Sequence, residues 1–335
     1  EPAIGPTSDS QSDDHFNTVL YTGSASSPNA ITGVGFQPDW VWIKKRSAAV
    51  SHAIFDSSRG VTSAGATNKA IGSDRVDAEG NGNGGLSVFG SDGFTLVDGT
   101  SGSYPRSLVN DNATYVAWNW KANGGTTSSN TDGDVTSTVQ ANTTAGFSIV
   151  IWTQGSGQTD VGHGLGAVPD MIIGKTRTPS SGNWGWHTFH KDLGVSKYLF
   201  LNATTAATTS SNIFNPVNST VFGSSQFLFQ ASTPNVAYCF KSVEGYSKFG
   251  IYFGNGNADG TFVHLGFRPA WVMLKRTDSA DDWEIMDSKR SEINGRRAYL
   301  FANTTDAETT SLADRIDFLS NGFKARVNAS TFNTN

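Results

Sequence analysis

Groups able to carry covalent or redox chemistry are few in this sequence. One cysteine in 335 residues excludes an intrachain disulfide framework. Cys239 stands in the apolar run Val236-Ala237-Tyr238-Cys239-Phe240, the setting of a buried thiol. Charge is also sparse, at 16% of residues with a net charge of −5, and no basic run is longer than Lys44-Lys45-Arg46. Such a chain exerts no long-range pull on phosphates, so nucleic acid is not an expected partner. No stretch approaches the roughly 18 apolar residues of a membrane helix. The first residues, Glu1 to His15, are acidic and polar, unlike a signal peptide, and no membrane partner is expected.

Metal and cofactor motifs are missing as well. His187 and His190 lie three apart in a segment that reads as a strand, where they face opposite ways, which is poor for a shared metal. Asn130-Thr131-Asp132-Gly133-Asp134 alternates oxygen ligands as calcium loops do but lacks the bidentate Glu that would follow, so it reads as a polar turn. Gly80-Asn81-Gly82-Asn83-Gly84-Gly85 is not followed by Gly-Lys-Ser/Thr or by a helical pattern, so it reads as a loop tip and not a phosphate cradle. No cofactor, metal or catalytic residue is expected, and the chain is read as a non-enzyme.

What the sequence does hold is glycine (37 residues), a dense Ser/Thr/Asn background and many aromatics, including 21 Phe and 9 Trp. That composition describes an all-β fold with many turns, hydroxyl-rich outside and able to bury enough aromatic surface to offset its ordering entropy. Helix is expected only as a turn or two, near Asp306 to Ala313 or Asp56 to Gly60.

The organisation is set by an internal repeat. Gly35-Phe36-Gln37-Pro38-Asp39-Trp40-Val41-Trp42-Ile43-Lys44 returns as Gly166-Ala167-Val168-Pro169-Asp170-Met171-Ile172-Ile173-Gly174-Lys175 and as Gly266-Phe267-Arg268-Pro269-Ala270-Trp271-Val272-Met273-Leu274-Lys275. Proline suits the start of a strand, and the apolar residues after it fill both faces, predicting a strand buried between two layers and ending in a lysine that reaches water. Each copy opens on an aromatic strand, at Phe16, Phe147 and Phe249. His52 to Gly60, Trp186 to Gly194 and Trp283 to Arg290 align after the proline strand. Asp92-Gly93 and Asn321-Gly322 then signal hairpins. Tyr115 to Lys121 and Val236 to Lys241 close the first two copies, and the third stops at Asn335 without a closing strand. A C-terminus cut short is favoured over an edge completed by another chain.

These features divide the chain into a polar N-terminal segment (1–15), β repeat one (16–122), a Gly/Ser/Thr-rich flexible linker (123–145), β repeat two (146–247) and β repeat three (248–335). The expected architecture is tandem β-sandwich, jelly-roll-like units in a row. Repeat two departs most, with Gly174 where the others carry Ile43 and Leu274.

The proline-strand phrase, Tyr115-Val116-Ala117-Trp118-Asn119-Trp120-Lys121, the run Ser129 to Val139 and Glu244-Gly245-Tyr246-Ser247-Lys248-Phe249-Gly250 together resemble a repeat found in tail-fibre-like and other virion proteins of marine tailed phages. The resemblance covers residues 15 to 335 and brings no catalytic residues with it. It implies a phage virion structural protein, in a tail fibre or other surface appendage contributing to host attachment, located on the particle surface. Expected partners are further copies of the chain, with a homotrimer as the guess, other virion proteins and host surface glycans. Alternatives are a carbohydrate-binding adhesin, a capsid-surface decoration protein and a polysaccharide depolymerase. Repetition of Asp39/Asp170 and Asp56/Asp287 argues for turn roles over a catalytic carboxylate pair. For glycan stacking the candidates are Trp184, Trp186 and Trp283, near loop-to-strand junctions.

Overall fold

The glycine that begins each repeat signal takes a left-handed backbone, with φ of 86° at Gly35, 67° at Gly166 and 90° at Gly266. That conformation costs glycine nothing, and it aims the chain through the proline into a strand: Trp40–Lys45, Met171–Thr176 and Trp271–Lys275. In this computed structural model, which describes residues 12–61, 69–80, 84–98, 108–180, 184–210 and 213–334, strands dominate. Helical residues form single turns at Ser12–Asp14 and Lys191–Leu193 and occur also at 108–109. The two segments expected to hold a helical turn are instead a turn after Ala53–Asp56 and the short strand Thr309–Thr310.

Each repeat is an antiparallel sandwich of a larger and a smaller sheet. In repeat one the closing strand Thr114–Trp120 lies between the opening strand Phe16–Thr22 and the proline strand, which in turn pairs with Ala53–Asp56. Repeat two repeats this order: Pro234–Phe240 lies between Phe147–Thr153 and Met171–Thr176, followed outward by His187–His190 and Lys197–Phe200. Repeat three keeps only the outward half, Trp271–Lys275, Trp283–Asp287, Ala298–Phe301 and Thr309–Thr310. Its expected opening strand at Phe249 to Gly256 is an irregular segment, because the strand that would pair with it is absent among the described residues.

The inward face of every larger sheet contributes to one shared core. Trp40, Trp42 and Trp118 of repeat one, Phe147 and Tyr238 of repeat two, and Trp283 and Ile285 of repeat three belong to the same buried cluster. The outward faces pack on the small sheets as three private cores, exemplified by Phe55 and Phe94, by Phe189 and Phe222, and by Met286 and Phe323. Two packed faces explain why the proline strands of repeats one and two open on apolar runs and are wholly buried. The repeats therefore converge on a common centre and do not follow one another in a row.

The segment expected to be a flexible linker is ordered sheet. Ser137–Asn142 pairs with Phe147–Thr153, and Ser128–Asn130 adds outside it, so alternating Ser, Thr and Val edge the sheet of repeat two. Gln140 Oε1 accepts the amides of Asn123 and Gly125, at 3.0 and 2.9 Å, and fixes the turn that leaves repeat one. Hydroxyl-rich composition suits a half-solvated strand as well as a loop, and the two readings diverge only once a neighbouring strand edge is known. At Gly174 the Phe229 ring fills the space that Ile43 and Leu274 take in the other repeats. A Cβ there would lie 2.7 Å from two ring carbons.

Candidate functional site

The polar side chains that recur between repeats are found where one repeat meets the next. Lys44, Lys175 and Lys275 end the three proline strands. Lys44 Nζ donates to the Thr305 carbonyl of repeat three (3.2 Å), Lys175 to Val76 of repeat one (3.0 Å) and Lys275 to Thr204 of repeat two (3.1 Å). Lys44 and Lys175 are fully buried, contrary to the expectation that these lysines reach water, because the neighbouring repeat covers them. Burial, opposed by Asp77, brings Lys175 down to about 7. Burial likewise brings Lys44 and Lys275 down to about 8, against the pull of Asp74 and Asp281 respectively.

A second set follows the same cycle. Trp186 Nε1 donates to the Gly72 carbonyl of repeat one (2.7 Å) and Trp283 Nε1 to Phe200 of repeat two (2.9 Å). In repeat one the position is His52. Its Nδ1 accepts from Trp42 Nε1, leaving the proton on Nε2, which donates to the Phe301 carbonyl of repeat three (2.9 Å). A third set is backbone: Glu308 N to Arg46 O (2.9 Å), Glu79 N to Arg177 O (2.6 Å) and Ala207 N to Thr277 O (2.8 Å). Ion pairs reinforce the first two, Arg46 with Glu308 and Arg177 with Glu79. Burial opposes the Glu79 charge, but Arg59, Arg177 and Lys69 outweigh it and hold the carboxyl at about 2. In every set repeat one reaches repeat three, repeat two reaches repeat one and repeat three reaches repeat two. The chain is closed into a ring with a pseudo-threefold axis.

The carboxylates weighed as a catalytic pair, Asp56 and Asp287, serve the same joints. Each forms a fully buried ion pair with an arginine three residues on, Arg59 or Arg290. Asp56 Oδ2 accepts the Tyr238 hydroxyl of repeat two (2.7 Å), and Asp287 Oδ2 accepts Trp118 Nε1 of repeat one (3.0 Å). The Arg290 guanidinium also lies 5.6 Å from the centre of the Trp118 ring. Asp39 and Asp170, the repeated strand-start residues, accept amides just past the closing strands: Ala122 and Gly124 on Asp39, Ser242 on Asp170.

Glycan stacking by Trp186 and Trp283 does not survive the fold. Their rings are 0% and 4% exposed and held in the shared core by the bonds described above. Trp184 is half-buried, and its carbonyl accepts from Lys175 Nζ (2.7 Å). The expected polar turn at Asn130 to Asp134 is tied internally by Asn130 Nδ2 to Asp132 and externally by the Asp160 amide to Asp134. His187 is buried and held at about 3 by burial and by Lys175, while His190 accepts the Asp192 amide. Positions 81–83 of the glycine-rich loop and 1–11 of the N-terminal segment lie outside the described residues.

A large opening interrupts the ring. A cleft of about 980 Å³ lies in repeat three, between segment 249–254 and Trp271–Lys275. Its far walls are Phe16 and Trp120 of repeat one and His190, Leu193 and Phe240 of repeat two. It occupies the place that a closing strand fills in the other two repeats.

A family model described as Domain of unknown function (DUF7483) matches residues 11–335. The chain belongs to the DUF7483 family. The match runs through all three repeats, so the family pattern takes in the whole ring and not a single sandwich. No curated protein and no solved structure matches the chain.

The joints themselves were missed by the sequence reading, although a signal was present. Lys44, Lys175 and Lys275 recur at the end of otherwise apolar strands, and His52, Trp186 and Trp283 fall in one column of the repeat alignment.

Proposed function

We propose that the chain is a non-catalytic structural module on the surface of a tailed-phage virion, in a tail fibre or comparable appendage that contributes to host attachment. The non-catalytic half is carried by one observation. The repeated lysines, arginines, carboxylates and indoles are used in holding one repeat to the next, copy after copy. Catalytic sets are built once, whereas contacts of a ring are built at each joint. The virion half is supported by the phrase resemblance of the proline strand and closing strand.

The test is to purify intact particles of the phage that encodes the chain, digest them for mass spectrometry and label them with antibody against repeat one. The expected result is stoichiometric presence with surface labelling. Absence from purified particles would reject the virion setting. Release of reducing sugar ends from host capsule by the purified chain would reject the non-catalytic reading.

A further inference from the structure

We propose that the cleft in repeat three is a strand-acceptor site whose occupant is a β-strand with the pattern of the closing strands. In repeats one and two the occupant position holds seven residues that pair on both edges: Trp120 with Phe16 and Trp40, Phe240 with Phe147 and Met171. In repeat three the corresponding edges are open. Among the described residues Trp271–Lys275 pairs only with Trp283–Asp287, and segment 249–254 pairs with no strand. The open edge of Trp271–Lys275 is what an added strand satisfies, and a compact apolar ligand does not. At about 980 Å³ the cleft lies at the top of the range of about 300–1,000 Å³ common for small-ligand pockets.

The side chains around it are those left uncovered by a missing strand. Trp40–Lys45 is buried at every position, whereas Trp271, Met273 and Lys275 are each partly exposed. Ile251 and Phe253 across the cleft are 52% and 83% exposed. The required chemistry is read from the two filled copies. Val116, Trp118 and Trp120, and Val236, Tyr238 and Phe240, enter the shared core. Ala117 and Ala237, with Tyr115 and Cys239, enter the private cores. The occupant thus presents Val-x-aromatic-x-aromatic to the ring centre and a small residue such as Ala to repeat three's own core.

Entry and exit are defined as well. The Tyr252 hydroxyl donates to the Phe332 carbonyl (2.6 Å) and the Asn255 amide to Asn333 Oδ1 (3.3 Å). In repeat one the Tyr21 hydroxyl donates to Val109 (2.8 Å) and the Ser24 amide to Asn110 Oδ1 (3.2 Å). Phe332 and Asn333 therefore stand where Val109 and Asn110 stand, shortly before the strand Thr114–Trp120. The occupant's N-terminal end lies beside Thr334. At the other end Ala270 replaces Asp39 and Asp170, whose carboxylates turn the chain away after the closing strand. A strand that ends in the cleft needs no such anchor.

The experiment titrates the full chain with a fluorescein-labelled peptide of its own Ala113–Lys121 sequence, read by anisotropy. The control peptide exchanges Val116 with Ala117 and Trp118 with Asn119, which swaps the faces of these four residues at constant composition. The expected result is saturable one-to-one binding, at least tenfold weaker for the control and for I251K. No saturable binding, or equal binding of both peptides, overturns the proposal. A second protein carries Ala113–Lys121 fused directly after Asn335. It is expected to melt several degrees higher and to lose binding of the free peptide. A fusion that still binds free peptide as tightly overturns the proposal. So does sedimentation showing a dimer of the unextended chain that I251K dissociates and the peptide does not, which would make a second copy the occupant.

Discussion

Replacing Asp56 with alanine tests the joint between repeats one and two. The Arg59 guanidinium beside it is fully buried and also donates to the carbonyls of Ile54 (3.1 Å) and Lys69 (2.5 Å). Asp56→Ala strands that cation and leaves the Tyr238 hydroxyl, 2.7 Å from the lost carboxylate, without its acceptor. Removing one member of a buried ion pair costs roughly 3–5 kcal/mol. An orphaned buried hydroxyl adds about 1–3 kcal/mol. Glu79, 3.4 Å from Arg59 Nη1, takes back part of the first cost. A net loss of about 3–5 kcal/mol is expected, a large share of a total stability of roughly 5–15 kcal/mol. The assay is urea unfolding followed by tryptophan fluorescence and far-ultraviolet circular dichroism on one sample. The control is Asp278→Ala, which removes an exposed pair with Arg276 and should cost under about 1 kcal/mol. A double-mutant cycle of Asp56→Asn with Tyr238→Phe isolates the contact between repeats. An Asp56→Ala loss no larger than the control's, or no coupling in the cycle, would refute the reasoning.

Four further outcomes follow from the buried contacts. Trp186→Ala opens the shared core and frees the Gly72 carbonyl, so it should cost about 3–5 kcal/mol, whereas half-buried Trp184→Ala should cost about 1 kcal/mol; similar melting temperatures for the two would contradict the placement. Gly174→Ile should collide with Phe229 and destabilise by about 1–3 kcal/mol, and Phe229→Ala in the same chain should recover part of the loss, as thermal melts of the four proteins would show. Stability should rise as pH goes from about 7 towards 10. Lys175 at about 7 and Lys44 and Lys275 at about 8 release protons that the unfolded chain keeps until roughly 10.4, so the unfolded state binds more protons in that window. Stability should fall as pH drops below about 6.5, where unfolded histidine protonates and folded His187, at about 3, does not. Urea midpoints at pH 5, 7 and 9 check both signs, and a midpoint lower at 9 than at 7 would contradict the lysine burial.

The sandwich and the repeat were legible because they rest on local chemistry. Glycine, proline and an apolar run specify a strand, and Ser91-Asp92-Gly93 sets the hairpin between Gly84–Gly90 and Gly93–Asp98. How the three copies meet was not legible, since a strand apolar on both faces is compatible with stacking in a row or with convergence on a centre. Trp186 and Trp283 show the limit clearly. An aromatic near a loop end is a sugar platform if that end faces water and a core residue if another repeat covers it, and the covering residues lie more than eighty positions away. The Ser/Thr-rich stretch 123–145 failed for the related reason that a strand added to an edge carries no strong apolar alternation of its own.

The three joints are unequal, and their inequality follows the missing strand. The joints made by repeats one and two have the buried lysine, the ring donor, the backbone bond, the Arg–Glu pair and an aromatic of the closing strand on a buried carboxylate. The joint made by repeat three on repeat two keeps the lysine, the indole and the backbone bond, with Thr277 and Ala207 where the others place Arg and Glu. On the receiving side repeat two has His190 and Leu193 where Asp56 and Arg59, or Asp287 and Arg290, wait for a closing-strand aromatic. An Asp–Arg pair at this position would lack the closing-strand donor that Tyr238 and Trp118 give to Asp56 and Asp287. His190 and Leu193 place no such carboxylate–guanidinium pair at this position. The ring is held at this joint by the Lys275, Trp283 and Ala207 bonds, which do not depend on the closing-strand position being occupied.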